Sequence, residues 1–210
     1  MPLPLPRRLN IGSGRDFLPD FLNVDINDYW APDLVADVSG DFPPATPYET
    51  KRFGKVVVKP GEFDQIIAND VLEHVPDLVK TMTNCLKLLR FGGAMDISVP
   101  FDLSYGAWQD PTHVRAFNER SWIYYTDWFW YLGWTEARFA VAKLEYVVSP
   151  YGNDLMKRGA PVDQVALIPR AVEHMRVRLE KVRLTDADRQ LLADMEAQRQ
   201  TRHAEREVAG

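Results

Sequence analysis

Two glycines, Gly12 and Gly14, follow the short run LNI in RRLNIGSGRDF. Glycine lets a turn take positive φ and lets backbone N–H groups approach a ligand with no Cβ in the way, which suits a nucleotide-cradling turn. Farther along, short apolar runs finish on acids or amides: Asp25 closes LNVD, Asp37 closes DLVAD, and Asn69 with Asp70 closes FDQIIAND. A carboxylate at a strand end can accept hydrogen bonds from both hydroxyls of a ribose. A second group lies in QDPTHVRAF, residues 109–117. There His113 is the candidate general base, because imidazole alone takes a proton near neutral pH unperturbed. Asp110 is placed to orient it, and Arg115 to bind an acceptor carboxylate or phosphate. A structural role is the alternative for His113, and helix capping or packing the alternative for His74 in LEHV. His174 and His203 sit among charged residues and read as exposed. No two histidines share a ligand spacing, so no metal is expected.

These residues converge only if strands carry them to one edge. The pattern predicts strands over 9–11, 22–25, 33–37, 62–69 and 94–99, the fourth burying Phe63, Ile66 and Ile67. Pro19 limits the first link to about one turn of helix plus a loop. Residues 39–60, with Pro43, Pro44 and Pro47, read as a long connection in which KVVVK (55–59) forms an edge strand or hairpin arm. A helix over 76–89 sets Leu78, Met82, Cys85, Leu86 and Leu89 on one stripe, so Cys85 reads as a buried core thiol, and Gly92 and Gly93 are read as its stop. Residues 138–149 and 173–183 alternate as two final paired strands, one antiparallel, the second turning Met175, Val177, Leu179 and Val182 to one side. Residues 151–171 between them form a loop with one helical turn. The result is an α/β fold with a doubly wound, mostly parallel sheet, and ligands on such sheets bind beyond the carboxyl ends of the strands.

The 210 residues suffice for one domain with appendages, and 46% hydrophobic with 26% charged residues is ordinary for a globular chain. A net charge of −5 argues against a nucleic-acid backbone or an anionic membrane as partner. The lone Cys85 excludes an intrachain disulfide and suits a reducing cytoplasm. MPLPLPRRLN is too proline-broken for a signal core, and no run reaches membrane-span length, so a cytoplasmic protein is expected.

Taken together, these stretches resemble the class I S-adenosylmethionine-dependent methyltransferases. LNIGSG resembles their glycine motif, NVDI the ribose-binding acid, VADV the residue that meets adenine, FDQIIANDVLEHVPD the fourth-strand motif, and LLRFGGAMDISVP the following helix and fifth strand. The resemblance implies a seven-stranded Rossmann-like sheet with S-adenosyl-L-methionine as cofactor. It implies that Gly12 and Gly14 meet the amino acid part, Asp25 the ribose, Asp37 the adenine amino group, and Asn69, beside Asp70, the sulfonium neighbourhood. Asn10 stands where many members carry an acid that contacts the ammonium. DPTHVR resembles a DPTHxR element of a bacterial subset, many of whose members modify sugars or cell-surface polysaccharides.

Residues 101–135 hold five of the six tryptophans. They read as a substrate-recognition insertion walling the acceptor site, with His74, Tyr105, Trp108 and Arg115 as acceptor contacts, or as a second aromatic core around a helix over 118–132. The methyltransferase domain would span 1–183, and 184–210 would be a helix, with Leu191, Leu192 and Met195 docked, fraying beyond Gln198. The expected reaction is methyl transfer to oxygen of a small or sugar-like acceptor, with no nucleic-acid or membrane partner. Alternatives are a catalytically silent cofactor-binding relative and, against the short gap from Gly14 to Asp25, a nicotinamide-dependent oxidoreductase.

Overall fold

The computed structural model describes residues 3–42 and 47–209; Pro43, Pro44 and the side chain of His203 lie outside the described residues. Strands β1 (Arg8–Ile11), β2 (Leu22–Asp25), β3 (Leu34–Val35), β4 (Tyr48–Thr50), β5 (Gly54–Val56) and β6 (Phe63–Asn69) precede α1 (Leu78–Leu88) and β7 (Leu89–Pro100). Then follow α2 (Gly106–Gln109), β8 (Ala137–Val148), α3 (Pro150–Lys157), α4 (Val162–Ala166), β9 (Val172–Arg183) and α5 (Asp186–Ala209). Seven strands form one sheet in the order β3-β2-β1-β6-β7-β9-β8. All neighbours are parallel except at β9, which runs antiparallel to both β7 and β8. This is the expected mostly parallel sheet with one antiparallel strand. KVVVK supplies a hairpin arm: among the described residues β5 pairs with β4 alone, apart from the main sheet.

Register explains the core. Leu9 lies beside Leu22 and Ile66, and Ile11 beside Val24 and Ala68, and all six are 0% exposed. Ile67, expected inside, is only half-buried because it points to the opposite face from Ile66. In β9, Met175, Val177 and Leu179 are buried as expected, but Lys181 and not Val182 continues that face. The Lys181 ammonium donates to the Leu89 carbonyl at 2.7 Å, and burial holds its pKa below the usual lysine value. On the other face of the sheet Asp96, Ser98, Lys143, Glu145, Arg176 and Arg178 line a shallow polar groove.

Four local expectations are corrected. No helical turn links β1 to β2. Buried Asn23 takes that role: its amide accepts from the Leu18 N–H and donates to the Leu18 and Phe21 carbonyls, so the loop's polar backbone is satisfied without helix. Helix α1 stops at Leu88 without help from the glycines, which lie inside β7 at an irregularity in its pairing with β6. A Cβ on Gly93 would come within 3.1 Å of the Phe63 and Asp64 carbonyls. The β8–β9 link holds two helices, the first started by Ser149, whose hydroxyl accepts from the Gly152 N–H, with Pro150 in its first turn. The aromatic segment forms two 3-10 helices, Glu119–Tyr125 and Phe129–Leu132, in place of one longer helix. Its Trp122 and Phe117 stack at 5.5 Å and, with Phe129, are buried. Helix α5 rests Leu191 and Leu192 on the core and runs to Ala209. No helix among the described residues is long and apolar enough to cross a membrane.

Candidate active site

A cleft of about 710 Å³ opens at the carboxyl ends of β1, β2, β3 and β6, lined by Gly12, Gly14, Asp25, Asp37, Asp70 and His74 among others. Gly12 and Gly14 have φ of +59° and +43°. A Cβ on Gly12 would lie 2.4 Å from a Val71 methyl, so the turn is packed hard against the segment after β6. Asp25 is fixed by its own surroundings, accepting from the Gly14 N–H and the Asn27 N–H, each at 2.8 Å. Asp37 accepts from the Ser39 N–H at 2.8 Å and from its hydroxyl at 2.7 Å. Each carboxylate is thereby oriented while keeping further lone pairs for a ligand. None of the residues lining this cleft is lysine or arginine.

Two sequence candidates stand apart from the lining. Asn10 is buried beneath the turn, its amide donating to the Asp16 carbonyl at 2.8 Å and to Asn23 at 3.0 Å. Asn69, at the end of β6, borders the polar groove of the opposite sheet face.

A second cleft of about 750 Å³ is lined by Tyr105, Gln109, Tyr151, Arg170 and His174 among others. Tyr105 is exposed beneath the Arg170 guanidinium, 4.2 Å from its ring centre. Trp108 is 68% exposed, and its indole N–H donates to the Asp102 carbonyl. Asp70 lines the first cleft and His174 the second, and the two meet at 3.3 Å. The hydrogen bond to Asp70 is the main cause that raises the His174 pKa. His174 is therefore half-buried and paired, contrary to the expectation that it is simply exposed.

DPTHVR and LEHVP, distant in sequence, dock on each other. The Val114 N–H donates to the Glu73 carbonyl, and Arg115 donates to the Val75 and Pro76 carbonyls at 2.7 and 2.8 Å. Arg115, read as an acceptor contact, thus straps the two segments together. Asp110, read as orienting His113, instead accepts from the Thr112 hydroxyl at 2.7 Å, and Thr112 meets His74 Nδ1 at 2.9 Å. His113 holds its Nδ1 to the Ala107 carbonyl at 3.1 Å and stands edge-on to His74, ring centres 4.5 Å apart.

The docking also presents a residue that sequence reasoning passed over. Glu73 is 1% exposed, and among the described residues neither carboxylate oxygen has a hydrogen-bond partner. Burial pushes its pKa up to about 7; the nearness of its own backbone N–H opposes the rise, as do His113 and His174, while Asp70 adds to it. An acid buried without a partner is costly unless a ligand or a reaction uses it. Its only sequence signal is an acid directly after the apolar pair Val71-Leu72 and before His74 in VLEHV. Although no two histidines are spaced as ligands along the sequence, the fold brings a carboxylate oxygen of Glu73 and one ring nitrogen each from His74 and His113 within 4.8 Å of one another.

No protein-family model matches the sequence, and no curated protein matches it. Solved structures do. A S-adenosylmethionine-dependent methyltransferase from Archaeoglobus fulgidus is similar over 84% of this chain and 86% of its own, at 17% identity and a TM-score of 0.55. The YcgJ protein from Bacillus subtilis matches over 86% of this chain and 93% of its own, at 13% identity and a TM-score of 0.51. The [4+2]-cyclase SpnF matches over 86% of this chain and 77% of its own, also at 13% and 0.51. Likeness at these identities is likeness of fold, and the presence of a cyclase shows that this architecture carries more than one reaction. The chain has the fold of a S-adenosylmethionine-dependent methyltransferase.

Proposed function

We propose that the protein binds S-adenosylmethionine in the first cleft and transfers its methyl group to oxygen of a small or sugar-like acceptor held in the second. The carrying observation is the charge of the first cleft: three aspartates and no lysine or arginine line it. Such a lining repels a pyrophosphate and favours a cationic nucleoside, which speaks against a nicotinamide cofactor. The cleft volume of about 710 Å³ also falls in the usual range for such ligands. Gly12 and Gly14 would cradle the amino acid part, Asp25 the ribose and Asp37 the adenine.

When bound, the cofactor supplies a methyl group already activated on sulfonium. The chain then has to align the acceptor and take its proton. His174, oriented by Asp70 at the junction of the clefts, is the base that the geometry favours. Its partner strengthens it as a proton acceptor. His113 and His74 complete the polar wall on the DPTHVR side, and Tyr105 and Trp108 offer exposed aromatic surface of the kind that packs on sugar rings. Calorimetric titration with S-adenosylhomocysteine and, separately, with NADH tests the reading: saturable binding of the first alone is expected. Binding of NADH with none of S-adenosylhomocysteine would overturn it.

A further inference from the structure

We propose that Glu73, His74 and His113 bind one divalent transition-metal ion of the zinc class, with a coordination position left open for an acceptor oxygen. The three donor atoms lie within 4.8 Å of one another. Glu73 is buried and, among the described residues, both its carboxylate oxygens are unpartnered, so its side chain lacks the hydrogen bonds that a purely structural buried acid requires.

The histidines are prepared for the same role, and the donor and acceptor chemistry of their neighbours fixes how. A carbonyl only accepts, so His113 Nδ1 must carry the proton it gives to Ala107. The Thr112 hydroxyl donates its one proton to Asp110, so it can only accept from His74, whose Nδ1 is then also protonated. In the neutral rings both Nε2 lone pairs remain for a ligand. Outer partners that hold one nitrogen so that the other can coordinate are the usual supports of metal-binding histidines.

Two imidazoles and one carboxylate with an exchangeable fourth position form a donor set of catalytic zinc sites, whereas magnesium and calcium prefer all-oxygen shells. Of the three ligands, His74 also lines the first cleft, which would bring the ion to the border of the proposed methyl-donor site. The use of the ion rests on the methyl-transfer reading: an acceptor hydroxyl bound to it would be more acidic and would pass its proton more readily to the base, proposed above as His174. The binding of the ion does not rest on that reading.

The test uses the full chain, stripped with EDTA and titrated with zinc chloride in a calorimeter, then loaded with cobalt(II) and read by visible ligand-field absorption. One ion per chain is expected, with the tetrahedral cobalt spectrum. Glu73→Gln and His113→Ala should abolish both signals, and Thr112→Val, which frees the His74 ring, should weaken affinity ~10–100-fold. Circular dichroism and S-adenosylhomocysteine titration of each variant report whether fold and first cleft survive. Should Glu73→Gln not fold, His113→Ala and the exposed Thr112→Val still decide the matter. The proposal fails if the wild-type chain takes up no ion, or if folded Glu73→Gln or His113→Ala binds as the wild type does. Ion uptake without S-adenosylhomocysteine binding would sink the methyl-transfer reading and keep the metal site. The converse result would sink the metal site alone.

Discussion

Asp70 Oδ1 stands 3.3 Å from His174 Nε2, and this pair links the linings of the two clefts. Asp70 has φ +52°, which asparagine tolerates well, so Asp70→Asn removes the charge while sparing the backbone. In that variant the His174 titration followed by NMR should fall toward the ordinary value of 6.5. The acid limb of any methyl-transfer pH profile should move down with it. His174→Gln should cost ~10²–10⁴-fold in turnover, the usual worth of a general base. Because the His174 pKa is raised by folding, the pair stabilises the fold fully below 6.5, and that contribution fades as pH rises through the higher folded value. With both groups partly solvated it amounts to no more than about 1 kcal/mol. An unchanged His174 titration in Asp70→Asn would show that the pair does not operate.

Gly12→Ala tests the turn. Its Cβ would approach Val71 methyl carbons at 2.4 and 2.8 Å, at a φ of +59° that an L side chain rarely takes. The expected cost is ~1–3 kcal/mol of stability, read by chemical denaturation, with loss of S-adenosylhomocysteine binding. Adding Val71→Ala should recover the packing part and leave the backbone strain. Full recovery in the double variant would mean that the positive φ matters little.

The parts that sequence made legible are those set by local pattern. Apolar runs such as LNI and LNVD are strands buried in a parallel sheet, and their ends place Gly12, Gly14, Asp25, Asp37 and Asp70 on one cleft. Ser149-Pro150 is a readable helix start, although residues 151–171 by composition suggest a loop with one helical turn. What local pattern cannot carry is long-range docking. The contact of Thr112 with His74 joins residues 38 positions apart, and it decides what Asp110, His113 and Arg115 touch. Glu73 is in the same position, since an acid in VLEHV looks solvated until the DPTHVR segment covers it. Asn10 departs from the acid of the resembled family because its amide is spent on Asp16 and Asn23 under the turn.

Beneath that turn, Asp33 and Arg52 form the ion pair on which the helix-free β1–β2 link leans. Asp33 is only 1% exposed at its side chain and receives Arg52 at 2.6 and 2.8 Å and the Asn23 N–H at 2.9 Å. Burial alone would raise the Asp33 pKa, but the hydrogen bonds from Arg52 and Asn23 outweigh it and the net shift is downward. The pair therefore stabilises above the ordinary value of 3.8, and the contribution is lost as pH falls through the lower folded value. Removing one partner of such a buried pair costs ~3–5 kcal/mol, so Arg52→Met should lower the urea midpoint sharply. Arg52→Met with Asp33→Leu should recover part of the loss. A double variant weaker than the single one would show that Asp33 is held mainly by Asn23.

The two tryptophans of the aromatic segment should separate its packing role from its recognition role. Trp122 is 1% exposed and stacked on Phe117, so Trp122→Ala should cost ~3–5 kcal/mol and lower the melting temperature by many degrees. Trp108 is 68% exposed and gives up one hydrogen bond to the Asp102 carbonyl, so Trp108→Ala should change stability by no more than about 0.5 kcal/mol. If the segment also faces the acceptor, that variant raises KM for the methyl acceptor and leaves S-adenosylhomocysteine affinity unchanged, because Trp108 lies outside the first cleft. Loss of cofactor affinity in Trp108→Ala would place it on the wrong side of the site. No change in either constant would leave the aromatics as core alone, since the buried members already account for the packing.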